Sequence, residues 1–258
     1  MNKIPFYKYQ GTGNDFIMID NRTGKYSSLS QEKVNFLCDR RFGIGADGLI
    51  LLEKSENADF QMVYYNSDGN ESTMCGNGGR CLVAFAHELG LFNRTCLFNA
   101  IDGLHQAEYH DGIIELKMID VNQINRFKDD YVLNTGSPHY VQYAEKVDDF
   151  PVYEKGKAIR ESEEFIKEGI NVNFVEILGP HHLAVRTYER GVEDETLSCG
   201  TGVSAAAISY LENHGGSEVD VEVLGGTLKV RAEKSPSGFQ DVWLIGPAEK
   251  VFEGQISI

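Results

Sequence analysis

The chain has 258 residues, 41% hydrophobic and 24% charged, with a net charge of −15. An acidic chain without a basic cluster argues against nucleic acid and against anionic membranes as partners. No apolar run approaches the roughly 18 to 20 residues that cross a bilayer, and the N-terminus lacks the apolar core of a signal peptide. Five cysteines show no disulfide-framework spacing, so a reducing cytoplasm is expected.

In chain order, the first signal is a short Thr-Gly turn at Thr12 in "GTGNDF". A Gly-Ile pair at Gly43 opens a strand region, and "NSDGNE" is a turn without calcium-ligand spacing. Next, "STMCGNGGRC" places Cys75 directly before a glycine-rich turn and the apolar helix "CLVAFAHELG", closed near Gly90. The segment "QAEYHDGIIELKM" alternates like a hairpin turned at "HDG". A polar linker, residues 120–130, follows.

The same order then repeats. "TGSPHY" mirrors the first turn, with His139 at the place of Asn14–Asp15, and Gly169–Ile170 opens a strand. "LSCGTGVSAAAISYLENHG" repeats the cysteine, the turn and the apolar helix, ending at Gly215. There are 62 residues from Gly13 to Cys75 and 63 from Gly136 to Cys199. The sequence predicts two halves, 1–122 carrying Cys75 and 123–258 carrying Cys199. Helices apolar all round need wrapping on every side. The expected fold class is α+β, each half a curved sheet around a central helix.

A cysteine before a helix N-terminus sits in a field that favours thiolate and beside backbone N–H groups that favour a carboxylate. If the halves pack about a pseudo-twofold axis, the two thiols face one ligand. That pair suits inversion at the α-carbon of an amino acid: one thiolate removes a proton and one thiol returns it to the other face. His139 and Glu189, the latter ten residues before Cys199, are candidates to poise the thiols or take their protons. Glu189–Arg190 aligns with Tyr65–Asn66 in this reading. No cofactor and no metal is expected: Cys75 and Cys81 lack zinc spacing, and His181 and His182, adjacent in a strand, point to opposite faces. Cys38, Cys81 and Cys96 read as buried hydrophobes.

The motifs "GTGNDF", "RRFGIGADGL", "YYNSDGNESTMCGNGGRC", "SPHY", "INVNF" and "TYERGVEDETLSCGTG" together resemble the diaminopimelate epimerase family, nearly end to end. The resemblance implies two pseudo-symmetric barrel-like halves, with the last strand, about 249–258, commonly returning to the first. It implies a cofactor-independent isomerase of lysine and peptidoglycan precursor synthesis, acting on a small amino acid and often dimeric. Cys75 and Cys199 would be the acid/base pair, tuned by His139 and Glu189. Asn14, Asn66, Asn171, Glu189 and Arg190 would bind substrate, several of them its distal end. The backbone of Gly76–Asn77 and Gly200–Thr201 would hold the reacting carboxylate. Ser137 stands where many members have asparagine, so it is left out of this set. The alternative is a proline or hydroxyproline racemase of the same fold, disfavoured by Asn77 after the first Cys-Gly. A non-catalytic amino acid binder would have no use for two thiols.

Overall fold

The computed structural model describes residues 3–257. The chain divides into two compact units, Met1–Leu116 with Pro247–Ile258, and Lys117–Gly246.

The first unit runs β1 (Lys3–Gly11), β2 (Asn14–Asp20), α1 (Gln31–Cys38), β3 (Gly48–Glu53), β4 (Phe60–Asn66), β5 (Glu71–Ser72), α2 (Gly76–Glu88), β6 (Thr95–Ala100), β7 (Gly103–His110) and β8 (Ile113–Lys117). The second runs β9 (Ile124–Phe127), β10 (Asp130–Asn134), β11 (Pro138–Tyr143), α3 (Val152–Arg160), β12 (Asn171–Gly179), β13 (His182–Glu189), β14 (Asp194–Thr196), α4 (Gly200–His214), β15 (Glu218–Val223), β16 (Gly226–Ser235) and β17 (Gly238–Pro247). The last strand, β18 (Glu249–Ser257), pairs antiparallel with β1 of the first unit.

The pairing pattern is the same in both units. Strands β2 and β3 are parallel, as are β4 and β6; their counterparts are β11 with β12 and β13 with β15. A helix bridges each parallel pair, because a parallel return needs a crossover. The remaining neighbours are antiparallel. Even the flanking strand repeats: β9 pairs with β10 as β18 pairs with β1.

Helix α2 is buried without interruption from Gly76 to Ala86, and α4 from Gly202 to Leu211, as their all-round apolar sequences require. Phe16, Ile17, Met18 and Ile19 of β2 are all fully buried, since both faces of the strand are covered. Ile17 and Ile19 pack with Val34 and Leu37 of α1. Phe16 lies against α2, close to where Gly78 would carry a side chain.

Several expectations need correction. The boundary between units lies at 116/117, not 122/123, because Met118 donates to the Val242 carbonyl and Val121 bridges Phe239. Gly43–Ile44 is not a strand opening: it is a turn after α1, and β3 begins at Gly48. His181 lies in a turn at φ 56°, so only His182 belongs to a strand. The strand register also shifts the repeat by one or two residues. Phe16 pairs with Gly48 as His139 pairs with Asn171. Tyr65 pairs with Leu49 as Tyr188 pairs with Val172. His139 therefore occupies the place of Phe16, not Asn14–Asp15, and Glu189 that of Asn66.

Candidate active site

Cys75 is the N-cap of α2, half-buried, and its side chain makes no capping bond to the helix. The turn through Thr12 (φ 51°) and Gly13 (φ 85°) delivers Asn14 to the start of β2, beside this cysteine. Asn14 Oδ1 accepts from Cys75 Sγ at 3.7 Å and from Asn77 Nδ2 at 3.3 Å. Its Nδ2 donates to Asp47 Oδ2 at 2.6 Å.

Behind Asn14 stands an ion network. Arg40 donates to both oxygens of Asp15 at 2.9 and 2.8 Å and to Asp47 at 2.7 Å. Lys8, buried, pairs with Asp15 at 2.7 Å and donates to the Gly45 carbonyl. Burial alone would raise the Asp15 pKa, but hydrogen bonds from Arg40 and Lys8 win and hold it well below the usual carboxylate range. Arg80 of α2 is fully buried, donating to Thr12 Oγ1 at 3.1 Å and to the Pro247 carbonyl at 3.4 Å.

In the second unit Cys199 is the buried N-cap of α4, again without a side-chain capping bond. Its Sγ lies 3.5 Å from Thr201 Oγ1. Thr201 Oγ1 lies 2.9 Å from Nε2 of His139, which is fully buried. His139 Nδ1 is 3.0 Å from Asn173 Nδ2. Asn173 also donates to the Tyr140 carbonyl at 2.9 Å and accepts from Thr187 Oγ1 at 2.9 Å. Burial, helped by the Arg190 charge and only partly opposed by Asn173, pushes the imidazole pKa down to about 3, so His139 is neutral at physiological pH.

A third cluster ties Arg190, Asn171 and Ser137. Asn171 Nδ2 donates to Ser137 Oγ at 2.8 Å, and Asn171 Oδ1 accepts from the Arg190 backbone at 2.9 Å. The Arg190 guanidinium reaches Ser137 Oγ at 3.2 Å and the Glu168 carbonyl at 3.1 Å. Glu189 accepts from Thr196 Oγ1 at 2.9 Å. Gly76 and Gly200 are the first helical residues after the two cysteines. Asn66 ends β4, paired across the strand with Gly48.

The sequence set Ser137 aside, yet its hydroxyl joins Asn171 to Arg190. Asp47, Asn173 and Thr187 also join the site, Asp47 from "GIGADG" and Asn173 from "INVNF". Their contacts cross between strands and helix, so no local spacing reports them. Cys38, Cys81 and Cys96 are buried, and burial pushes each thiol up to about 12. Among the described residues no cluster of three or more His, Cys, Asp or Glu is arranged to hold a metal, and no helix is long and apolar enough to cross a membrane.

Fold and site together define a duplicated α+β protein, each repeat presenting a cysteine at the N-cap of a buried helix. The family model for diaminopimelate epimerase matches residues 6–120 and again 131–251. A diaminopimelate epimerase of Flavobacterium psychrophilum is 53% identical over 98% of this chain and its own full length. One from Chlorobaculum tepidum is 44% identical over 96% of this chain and 99% of its own. The chain belongs to the diaminopimelate epimerase family, and so to the isomerases. Among solved structures, a Bacillus anthracis phenazine biosynthesis protein of the PhzF family superposes with a TM-score of 0.77 at 16% identity over the whole of both chains. A hydroxyproline epimerase from Agrobacterium vitis does so at 0.69 and 13%, over 99% of this chain and 91% of that one. At such identities the likeness speaks for the fold alone.

Proposed function

We propose that the protein interconverts LL-2,6-diaminopimelate and meso-diaminopimelate without a cofactor, by acid/base work of Cys75 and Cys199, in the synthesis of lysine and peptidoglycan precursors. The observation that carries this reading is the pair of half-buried and buried thiols at the N-caps of α2 and α4, neither engaged in capping its helix. Each stands beside the orphan N–H groups of a first helical turn, which stabilise negative charge.

In the proposed reaction one thiolate takes the α-proton, forming an S–H bond as the C–H bond breaks. The electron pair remains on the carbon and spreads into the carboxylate. Backbone N–H groups of Gly76–Asn77 and Gly200–Thr201 hold that carboxylate as its charge grows. The other thiol then delivers its proton to the opposite face. Nothing is oxidised or reduced.

The second amino acid group of diaminopimelate needs its own polar partners. Arg190, Asn171, Asn14, Asn66 and Glu189 are assigned to substrate binding, the asparagines and Arg190 to this distal end. The Arg190–Asn171–Ser137 cluster supports this over proline or hydroxyproline, which has no distal charged group to bind. The test is incubation with LL-diaminopimelate, and separately with L-proline and trans-4-hydroxy-L-proline, in deuterated water. α-Deuterium should enter diaminopimelate only; incorporation into proline alone would move the assignment to the racemases.

A further inference from the structure

Each sulfur joins a hydrogen-bond relay whose polarity can be traced from groups that have no choice. In the first unit the fixed end is Asp47. Its carboxylate, paired with Arg40, can only accept. Asn14 must therefore turn its Nδ2 toward Asp47, at 2.6 Å, which leaves Oδ1 facing Cys75 and Asn77. Cys75 Sγ thus meets an acceptor, and an acceptor is satisfied by S–H, not by a bare thiolate.

In the second unit the fixed end is the Tyr140 carbonyl, which also can only accept. Asn173 must turn its Nδ2 toward it, so the same amide donates to His139 Nδ1, while Oδ1 takes the Thr187 hydroxyl. His139 Nδ1 is then the bare nitrogen, and the proton of the neutral ring sits on Nε2. Nε2–H donates to Thr201 Oγ1, and the Thr201 hydroxyl is left to donate to Cys199 Sγ. That sulfur meets a donor, which favours thiolate.

We propose that Asp47 and Asn173 are positioning residues that give the two sulfurs opposite hydrogen-bond polarity, so that in the substrate-free protein Cys199 rests as the thiolate and Cys75 keeps its proton. Its catalytic meaning rests on the two-thiol reading above. Cys199 would take the α-proton in the first turnover and Cys75 would supply the proton to the opposite face.

Other charges bear on the two sites. Helix N-termini act alike on both sulfurs and cancel in the comparison. In the first unit Lys8 and Arg40 offset Asp15 and Asp47, while Arg80, on the same helix as Cys75, favours its ionisation and narrows the difference. In the second, His139 is neutral, and Arg190 and Glu189 lie together at the end of β13.

The test needs no substrate. Iodoacetamide is applied to the folded protein across a pH series, and modification at Cys75 and at Cys199 is quantified separately by peptide mass spectrometry. Cys199 should be modified with the lower pH midpoint. Thr201→Val, nearly isosteric, should raise the Cys199 midpoint by about one pH unit and leave Cys75 unchanged. Asp47→Asn should lower the Cys75 midpoint by a similar amount, because the Asn14 amide can then turn over. Should Asp47→Asn not fold, Asn14→Leu removes the same acceptor and should act in the same direction. A Cys75 midpoint below that of Cys199 in the unmodified chain, or variants that leave their own midpoints in place, overturns the proposal. Deuterium exchange on diaminopimelate fails or succeeds independently of these midpoints, so the two readings are separable.

Discussion

His139 is separated from the Cys199 sulfur by the Thr201 hydroxyl. Its Nδ1 is occupied by Asn173 and its Nε2 by Thr201, so in the relay proposed above it would hold the threonine in register instead of taking a proton from sulfur. Its depressed pKa has a consequence for stability. The unfolded chain binds a proton at this histidine near pH 6.5, and the folded chain does so only near pH 3. The folded form is therefore favoured fully above about pH 6.5, and that advantage is lost as the pH falls toward 3. Thermal unfolding followed between pH 7 and 3 should show this slope, and His139→Gln should flatten it. Asp15 acts with the same sign in a lower window, below about pH 4, so the two are distinguishable. For catalysis, Cys75→Ala or Cys199→Ala should lower epimerisation by about 100- to 10,000-fold, the usual worth of a positioned acid or base. Near-normal turnover by either variant in a deuterium-exchange assay would defeat the two-thiol mechanism. Arg190→Ala should raise KM for diaminopimelate by more than it lowers kcat, since it loses a binding fork and no proton-transfer group.

At the scale of elements, the first turn of α4 is where packing and chemistry meet. Gly202 lies so close to β12 that a Cβ there would stand 2.3 Å from Asn173 Oδ1. The contact cannot be relieved without moving the amide that fixes the His139 tautomer. Gly202→Ala should cost about 1 to 3 kcal/mol of stability as overpacking. It should also displace Asn173, so the loss of turnover should exceed that of a surface substitution with an equal change in unfolding midpoint. Chemical denaturation paired with the exchange assay reads both quantities. The equivalent glycine in α2, Gly78, meets the flexible end of Ile50 at 3.1 Å instead of a polar atom, so Gly78→Ala should be the milder change.

The whole molecule is a duplication in which each repeat's first strand is flanked by the strand that follows the other repeat's last hairpin: β9 after β8 flanks β10, and β18 after β17 flanks β1. The strand β18 covers β1, with Ile256 packed on the core near Ile4 and Phe252 edge-on to Phe6 at 5.9 Å. Deleting residues 249–258 would leave the edge of β1 without its backbone partner from Lys3 to Gln10 and would partly uncover Ile4 and Phe6. The unfolding midpoint should fall by roughly 10 °C or more, measured by calorimetry. Amide exchange should quicken first in β1 and β2, while β10 and β11 keep their protection, because the two flanking strands belong to separate units.

Sequence by itself determined the repeat, the two cysteines and the two buried helices, because each is written in contiguous residues. "CGNGG" and "CGTG" announce a helix start, and "CLVAFA" and "VSAAAISYL" have no polar face to expose. The long motifs "YYNSDGNESTMCGNGGRC" and "TYERGVEDETLSCGTG" carried the family as well. Register was not written there: the sequence set His139 opposite Asn14–Asp15, and only strand pairing showed that it takes the place of Phe16. Nor were Asp47, Asn173 and Thr187 legible, since each acts across strands on a residue more than ten positions away. Which way an amide points depends on an acceptor supplied by another element. A tertiary contact is needed to supply it, and so the polarity at each sulfur was decided by the fold.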